Sequence, residues 1–273
     1  MRRSDGLVGE PSGHESVTVN SSSSSWIRIP VPRPQARIRL FCLPHAGGGA
    51  SSYTAWARGL PTHIEVCAAQ LPGRETRIEE PAITDIHAMA RTLADVMAAA
   101  ADLPFAIFGH SMGAVIAYEV AQELLRRGGP QPLRLFASGA RAPHLPLSGP
   151  RLADLPTDEL IRGLAAIGGI PVELLDRREY LDLIVPSLRG DLIIAENHRT
   201  GVGAPLPYPI TGLTGEDDIH VPLEQVREWE RHTSAAFKAL VFPGGHFFHR
   251  DHMDQVLAAV EGDISLDVAL RLS

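Results

Sequence analysis

PFAIFGHSMGAVIAYEVAQELL, residues 104–125, is the stretch that decides the fold. A short apolar run with the composition of a buried strand ends at Phe108, and a run of helical length begins at Ala114. Between them stands Gly-His-Ser-Met-Gly, whose small flanking residues let the chain double back without a steric clash. The pattern favours a nucleophile elbow over a purely structural glycine-rich turn. In such an elbow a strained strand-to-helix turn presents the Ser111 hydroxyl at the carboxyl edge of a sheet.

Length and composition are those of one large α/β domain. The chain has 273 residues, of which 44% are apolar and 21% charged. A net charge of -7 and the lack of a basic run argue against nucleic-acid binding. The sequence has no apolar stretch of membrane-spanning length and no secretory signal, so we expect a cytoplasmic protein. Cys42 and Cys67 lie in apolar runs and are expected to be small buried side chains rather than a disulfide or a nucleophile.

Apolar runs alternate with helical segments from residue 38 onward. The predicted strands cover residues 38–43, 64–70, 105–108, 133–138, 210–214 and 239–242. The predicted helices cover residues 51–58, 84–101, 114–127, 223–231 and 251–261. Strands separated by helices of this length form parallel crossovers. The sequence therefore predicts an α/β fold with a mainly parallel central sheet and helices on both faces.

Two segments fall outside this alternation. Residues 1–25 are polar, end in a run of serines and are predicted to form a disordered tail, which leaves residues 26–273 for the folded domain. The strand-free interval between residues 140 and 209 contains helical stretches at 157–167, 172–175 and 180–197. An insertion late in the sheet predicts a helical lid, at about residues 150–205, over the strand ends where ligands bind.

A serine hydroxyl is a weak nucleophile, so Ser111 requires a general base, and the base requires an orienting carboxylate. In a sheet of this kind the base follows the last strand. His246 stands there, after an apolar run and a Gly-Gly turn, and is predicted to be the base. His249 and His252 follow at spacings of three, but without a carboxylate or cysteine partner they do not predict a metal site. They are expected on the first turns of the final helix, partly exposed to solvent.

Three consecutive carboxylates follow the preceding strand, in GEDD at residues 215–218. The usual Gly-x-x-Asp spacing predicts Asp218 as the orienting acid, with Asp217 as the alternative. His220 is the competing imidazole, but it precedes a helix instead of following a strand. The predicted catalytic residues are therefore Ser111, Asp218 and His246.

Acyl transfer also requires two hydrogen-bond donors for the oxyanion of the tetrahedral intermediate. One is expected to be the amide of Met112, directly after the nucleophile. The other is expected in PHAGGG, residues 44–49, with Ala46 as the first choice. This glycine-rich loop also resembles a dinucleotide-binding turn, but Ser52 replaces the third glycine and no acidic residue ends the next strand. We therefore expect no cofactor and no metal.

Five separated motifs occur in a fixed order: FCLPHAGG at residues 41–48, QLPGR at 70–74, GHSMG at 109–113, GEDD at 215–218 and GGHF at 244–247. From about residue 39 to residue 258 the chain resembles type II thioesterases, the stand-alone editing hydrolases of polyketide and nonribosomal peptide synthesis, which are related to the fatty-acid-synthase thioesterase. The resemblance implies an α/β-hydrolase fold and the triad named above. It also implies hydrolysis of acyl groups from the phosphopantetheine arm of carrier proteins, which clears mis-primed or stalled chains.

Two other reactions are compatible with the elbow. A malonyl-type acyltransferase would need a glutamine-rich oxyanion loop and an arginine for the free carboxylate, and would lack the acid of a full triad. A general carboxylesterase or lipase would prefer soluble oxygen esters.

The resemblance implies acyl or peptidyl carrier domains as partners, and a monomer is expected. Since the protein is acidic, docking to an acidic carrier requires a local basic patch. Arg126 and Arg127 are one candidate, although a solvated helix end is the simpler interpretation.

Overall fold

A seven-stranded sheet forms the centre of the protein in the computed structural model, which describes residues 25–272. Its strands are β1 (Ile27–Arg28), β2 (Ile38–Leu43), β3 (Ile64–Ala69), β4 (Phe105–His110), β5 (Leu135–Ser138), β6 (Ile210–Gly215) and β7 (Phe237–Phe242). The strand order is β1-β3-β2-β4-β5-β6-β7. Strand β1 runs antiparallel to β3, and the other pairs of these strands are parallel. The prediction of a mainly parallel sheet is confirmed.

Helices cover both faces of the sheet, as parallel crossovers require. They are α1 (Thr54–Gly59), α2 (Ile86–Ala99), α3 (Met112–Arg126), α4 (Thr157–Ala166), α5 (Arg178–Asn197), α6 (Leu223–Arg227), α7 (Phe248–Asp251) and α8 (Met253–Leu272). Side chains of α2 and α3 pack in the hydrophobic cluster on one face, and side chains of α1 and α8 pack in the cluster on the other. No helix among the described residues combines the length and the apolar character needed to cross a bilayer.

Strand β4 shows why the sheet needs both layers. Phe105 and Ile107 belong to the cluster with α2 and α3, whereas Ala106 and Phe108 belong to the cluster with α1 and α8. All four residues are at most 2% exposed. Burial of each large apolar side chain stabilises the fold by about 1.5–3 kcal/mol. The continuous apolar run is thus the signature of a central strand, and it places Ser111 one residue beyond the strand end.

The predicted elements are present, but several of their ends differ. The helix predicted for residues 251–261 begins with α7 and continues through α8 to Leu272. Its C-terminal half is anchored by Asp267, whose carboxylate accepts two 2.7 Å hydrogen bonds from Arg134, a long-range contact that no local pattern shows. Strand β1 is not predicted from the sequence, because two residues are too short for a pattern. The predicted tail of residues 1–25 lies, apart from its last residue, outside the described residues.

The interval between β5 and β6, which the sequence predicts to hold a lid, contains α4, α5 and two short 3-10 helices, Leu152–Asp154 and Val172–Leu174. Its apolar side chains form a third hydrophobic cluster that includes Leu181 and Leu188 of α5. Ala46, in the loop after β2, packs against this cluster. The inserted helices therefore contact the carboxyl edge of the sheet.

Cys42 and Cys67 are unpaired thiols buried in β2 and β3. Burial raises the pKa of Cys67 to about 12. Burial, with the nearby Cys67, also raises the pKa of Cys42 well above its ordinary value. Both thiols stay protonated at neutral pH and pack as small apolar side chains, as the sequence predicts.

Trp26, close to the first of the described residues, packs on the domain. Its half-buried indole contacts the core, and the Arg77 guanidinium lies 4.3 Å from the centre of the indole ring. The carbonyl oxygen of Trp26 accepts a 2.8 Å hydrogen bond from the amide of Gln70.

We expect Trp26→Ala to lower the free energy of unfolding by about 1–2 kcal/mol and the melting temperature by about 2–6 °C. Deletion of residues 1–24, which hold few apolar side chains, should leave the melting temperature unchanged. Thermal unfolding of both variants measures this. A comparable fall on deletion would show that this segment packs on the domain.

Candidate active site

Ser111 occupies the turn between β4 and α3 in a strained backbone conformation, with φ 55° and ψ −119°. Among the described residues, only one other non-glycine residue, Glu75, has a positive φ. A Cβ on Gly109 would lie 2.2 Å from the carbonyl oxygen of Gly113, and one on Gly113 would lie 2.1 Å from that of Leu43. Glycine is therefore required on both sides of Ser111.

Hydrogen bonds hold this turn against the end of β5. The Ser111 amide donates to the carbonyl oxygen of Ser138 at 2.8 Å, and a 2.9 Å hydrogen bond joins His110 Nδ1 to the Ser138 hydroxyl. Ser111 is also the N-cap of α3, at the positive end of that helix dipole. These contacts fix Ser111 at the carboxyl edge of the sheet.

Asp218 and His246 form a hydrogen-bonded pair. Nδ1 of His246 lies 2.7 Å from Oδ2 of Asp218, and Oδ1 accepts hydrogen bonds of 3.0 and 3.1 Å from the amides of His220 and Val221. Burial raises the pKa of Asp218, but the hydrogen bond and charge of His246 and the two backbone amides outweigh it, so this pKa lies below its ordinary value. The ionised carboxylate holds Nδ1 as a donor and leaves Nε2 able to accept a proton.

The loops that carry the acid and the imidazole are joined to each other. The amides of Glu216 and Asp217 donate to the carbonyl oxygens of Phe242 and Gly244, at 2.7 and 2.9 Å. Asp217, the alternative acid, is exposed to solvent, whereas Asp218 is 5% exposed. The structure therefore brings Asp218, and not Asp217, to the imidazole.

Ser111 and His246 line one cavity of about 630 Å³. Much of its apolar wall comes from the interval between β5 and β6: Leu147, Leu152, Leu164, Ile167, Leu192 and Ala195. The volume lies within the range of about 300–1,000 Å³ typical of small-molecule sites. Within the described residues no hydrogen bond joins the Ser111 hydroxyl to His246, whose Nδ1 is held by the acid. Such contacts commonly tighten only when substrate binds.

The two residues whose amides are predicted to bind an oxyanion, Ala46 and Met112, line the same cavity. Met112 is the first residue of α3, where a backbone N–H has no acceptor within the helix. The amide of Gly47 is occupied, because it donates to Oδ2 of Asp191 at 2.7 Å. The amide of Gly48 donates within the loop at 2.9 Å. The Gly47 and Gly48 amides are therefore occupied, and Ala46 remains the oxyanion donor that the sequence predicts in this loop.

Three buried imidazoles, His45, His110 and His249, lie near His246. The ring centres of His110 and His249 are 3.8 Å apart, and those of His110 and His246 are 5.1 Å apart. Burial, and then neighbouring positive charges, lowers the pKa of His45 to about 3 and the pKa values of the other two well below the ordinary value. All three rings are therefore neutral at pH 7. The prediction that His249 is partly solvated is wrong: its ring packs against that of His110, and the residue is 3% exposed.

A family model described as "Thioesterase domain" matches residues 38–264 of this chain. The chain belongs to the thioesterase family. It is a thioester hydrolase with the α/β-hydrolase fold, as the five sequence motifs imply. Among the described residues of this thioesterase, no group of three or more His, Cys, Asp or Glu side chains is arranged to hold a metal ion.

Two relatives and one solved structure are similar to this chain over most of its length. "Linear gramicidin dehydrogenase LgrE" of Brevibacillus parabrevis is 38% identical over 246 residues, which cover 89% of this chain and 94% of the relative. "Thioesterase PikA5" of Streptomyces venezuelae is 36% identical over 245 residues, which cover 87% and 85%. The solved type II thioesterase BorB from the borrelidin biosynthetic cluster superposes with a TM-score of 0.81 at 36% identity, over 89% of this chain and 99% of that chain. The resemblance to type II thioesterases is confirmed.

Sequence reasoning misses two charged residues of the thioesterase cavity, Arg141 and Glu196. The Arg141 guanidinium donates to carbonyl oxygens at the C-terminal end of α5, at 3.3–3.5 Å. The Glu196 carboxylate accepts the amides of Leu152 and Ala153 at 2.9 and 3.1 Å. Arg141 comes shortly after the strand predicted for residues 133–138, and this position is the one sequence signal that could have indicated a place near the site. Nothing in the pattern of α5 distinguishes Glu196.

Proposed function

We propose that this thioesterase hydrolyses acyl groups from the phosphopantetheine arm of acyl or peptidyl carrier proteins. Its role is editing: it clears short or aberrant acyl groups in polyketide or nonribosomal peptide synthesis. The observation that carries the proposal is that one cavity is lined both by Ser111, on its strained turn, and by His246, paired with Asp218. The relatives named for gramicidin and borrelidin support the class of pathway.

In the first half-reaction, Ser111 Oγ attacks the thioester carbonyl carbon while Nε2 of His246 takes the hydroxyl proton. Asp218 orients the imidazole and stabilises the positive charge that forms on it. The amides of Ala46 and Met112 bind the oxyanion, and each such donor contributes about 10²–10³-fold in turnover. The intermediate then expels the pantetheine sulfur, which takes the proton from His246, and the acyl group remains as an ester on Ser111.

In the second half-reaction water replaces the thiol. His246 removes a proton from water, the resulting hydroxide attacks the ester carbonyl, and the same two amides bind the new oxyanion. The Ser111 oxygen leaves with the proton from His246. The net reaction consumes one water and releases a carboxylic acid and a free pantetheine thiol. No electrons pass to a cofactor at any step, so we propose none.

The glycine-rich loop also disfavours a dinucleotide. One relative is named a dehydrogenase, and dinucleotide enzymes bind pyrophosphate on free amides of a loop in this position. Here the Gly47 amide is occupied by the carboxylate of Asp191, which is 0% exposed. The Asp191 carboxylate therefore occupies a backbone amide that a pyrophosphate would need as a hydrogen-bond donor.

The pantetheine arm enters, in this proposal, beside Ile219 and His220. Both residues line the cavity and are exposed, Ile219 to 86%. Residues 150–205 act as the lid, and Gly168, which has φ 78° just after α4, is a hinge for its movement. An apolar side chain at the entrance suits the uncharged amide and methylene groups of the arm.

The apolar wall predicts loose selection of acyl length. Each buried methylene contributes only about 0.8 kcal/mol, so chains of similar length are poorly discriminated until the cavity is full. We expect acetyl, propionyl and butyryl thioesters all to be hydrolysed, and carrier-bound forms to react faster than coenzyme A forms. Initial rates on this panel of thioesters measure both the dependence on acyl length and the effect of the carrier. A sharp preference for one long chain, or equal rates with and without the carrier, would contradict the editing role.

One observation favours a second candidate, a malonyl-type acyltransferase. Such an enzyme needs an arginine in the acyl chamber, and Arg141 lines the cavity. Its guanidinium, however, is engaged by the carbonyl oxygens at the end of α5. A malonyl thioester with a second, unloaded carrier distinguishes the two: transfer to that carrier indicates the transferase, and release of free malonate the hydrolase. Release of acids from oxygen esters faster than from thioesters would indicate a general esterase.

The carrier does not dock, in this proposal, on Arg126 and Arg127. Glu123 pairs with Arg126 at 2.7 Å and with Arg127 at 2.6 Å, and Asp95 also pairs with Arg127. The two positive charges are therefore largely compensated within the protein, as expected for a solvated helix end. We propose a cytoplasmic monomer that meets its carrier at the cavity entrance.

A further inference from the structure

A buried ion pair joins Asp191 of helix α5 to Arg74, in the turn after β3. Arg74 and Asp191 hold each other through two hydrogen bonds, Nη1–Oδ2 at 2.7 Å and Nη2–Oδ1 at 2.8 Å. Arg74 is 6% exposed and Asp191 is 0% exposed. Such a pair adds little net stability over apolar side chains of the same size, because removing both charges from water is costly. Its presence therefore calls for a role beyond packing.

The pair also holds the backbone of the loop. Oδ2 of Asp191 accepts the Gly47 amide at 2.7 Å, and Nη1 of Arg74 donates to the Gly48 carbonyl oxygen at 3.1 Å. Gly47 has φ 77°, and a Cβ there would lie 2.9 Å from Leu188 of α5. The positive φ favours glycine at this position, and the absence of a side chain leaves room for Leu188. The contacts fix the peptide unit directly after Ala46.

The turn that carries Arg74 fixes the far end of the same loop. Glu75, with φ 46°, accepts a 3.2 Å hydrogen bond from the Ser51 amide and another from the Ser51 hydroxyl. A Cβ on Gly73, which has φ 79°, would lie 2.4 Å from Ser187 of α5. The turn is thus hydrogen-bonded to the end of the loop on one side and lies in close contact with α5 on the other. A strained non-glycine residue such as Glu75 persists only where surrounding contacts hold it, and such sites cluster at functional centres.

We propose that Asp191 and Arg74 are positioning residues, which keep the Ala46 amide aimed at the oxyanion only while α5 is docked. The acceptor of the Gly47 amide stands on the lid helix. When α5 moves away, that acceptor leaves, the loop loses its anchor and the oxyanion site is incomplete. Hydrolysis is thereby confined to the closed chamber. The inference rests on the proposed function, in which Ala46 supplies an oxyanion donor.

The test is a pair of double variants, of which only one keeps an acceptor for the Gly47 amide. Arg74→Met removes the buried positive charge in both. Asp191→Asn keeps an oxygen that can accept the Gly47 amide, whereas Asp191→Leu has nearly the same shape and no acceptor. We measure kcat and KM on an acyl-pantetheine and the inhibition constant of a trifluoromethyl ketone analogue, whose adduct with a serine carries an oxyanion. Melting temperatures establish that both variants are folded.

The Asp191→Leu double variant is expected to lose about 10²-fold in kcat with KM little changed, since a displacement of about 1 Å at a catalytic group has this effect. Its affinity for the ketone falls in parallel. The Asp191→Asn double variant should lose much less of its kcat and of its affinity for the ketone. Equal losses in the two variants, or no loss in either, would overturn the proposal, because the acceptor would then be irrelevant.

If either double variant fails to fold, the Arg74→Lys variant is measured in its place. Lysine keeps the positive charge beside Asp191 but cannot hold both carboxylate oxygens and Gly48 together. We expect kcat to fall about tenfold with KM unchanged, and an unchanged kcat would overturn the proposal. Ser111→Ala separates this failure from failure of the proposed function. If Ser111→Ala stays active, the proposed function is wrong; if it is inactive while all the variants above match wild type, only the positioning role is wrong.

Discussion

Replacement of Ser111 by alanine is expected to lower the rate of acyl-pantetheine hydrolysis by about 10⁴–10⁶-fold. A methyl group cannot form the acyl ester, and only the binding site and the oxyanion donors remain to assist water. Among the described residues the Ser111 side chain makes no hydrogen bond that its removal would break, so the melting temperature should not change. Release of the pantetheine thiol, followed with a chromogenic thiol reagent, measures the rate.

Ser148 provides the matched control for this variant. It lines the same cavity and accepts a 2.8 Å hydrogen bond from Gln225, but it stands on no strained turn. Ser148→Ala should keep turnover close to that of the wild type. A fluorophosphonate should label Ser111 in the wild type and nothing in Ser111→Ala. Stoichiometric labelling of another serine would show that the nucleophile is misassigned.

Asp218→Asn is expected to lower turnover by about 10⁴-fold, since an asparagine in this place favours the wrong tautomer of the imidazole. The side-chain amide can still accept from the His220 and Val221 amides, which preserves the loop. Its NH₂ group, however, can turn toward Nδ1 of His246 and leave the proton on Nε2. Steady-state rates on an acyl-pantetheine measure the loss.

Asp217→Asn is the control, because it removes the same charge one residue away. Asp217 is exposed, and its amide rather than its carboxylate joins the two loops. Turnover should change little. If Asp217→Asn is the inactive variant and Asp218→Asn is active, the acid is assigned one residue out of place.

Much of the fold can be predicted because its signals are local. The run before Ser111 is apolar on both faces, which is typical of a parallel strand covered on both sides, and β2 has the predicted bounds Ile38–Leu43. Residues that follow predicted strands meet at one edge of a parallel sheet. This is why Asp218 and His246, which are 28 positions apart, can be expected to meet before the structure is known.

Features set by long-range contact are not predictable in this way. Arg74 and Asp191 are 117 positions apart, and neither residue type nor spacing marks Asp191 on α5 as a partner of the glycine-rich loop. His249 appears in the sequence as one polar residue among several near a helix start. It is buried among rings that include that of His110, a residue of the elbow. In both cases the tertiary arrangement decides the role.

The central claim is tested most directly by intact-protein mass spectrometry of a carrier protein loaded with a propionyl group. Incubation with the wild-type thioesterase should return the carrier to the mass of its free phosphopantetheine form, with a transient propionyl adduct that maps to Ser111. Incubation with Ser111→Ala should leave the carrier acylated. A carrier that stays propionylated with the wild type, or is cleared equally fast by Ser111→Ala, would contradict the account.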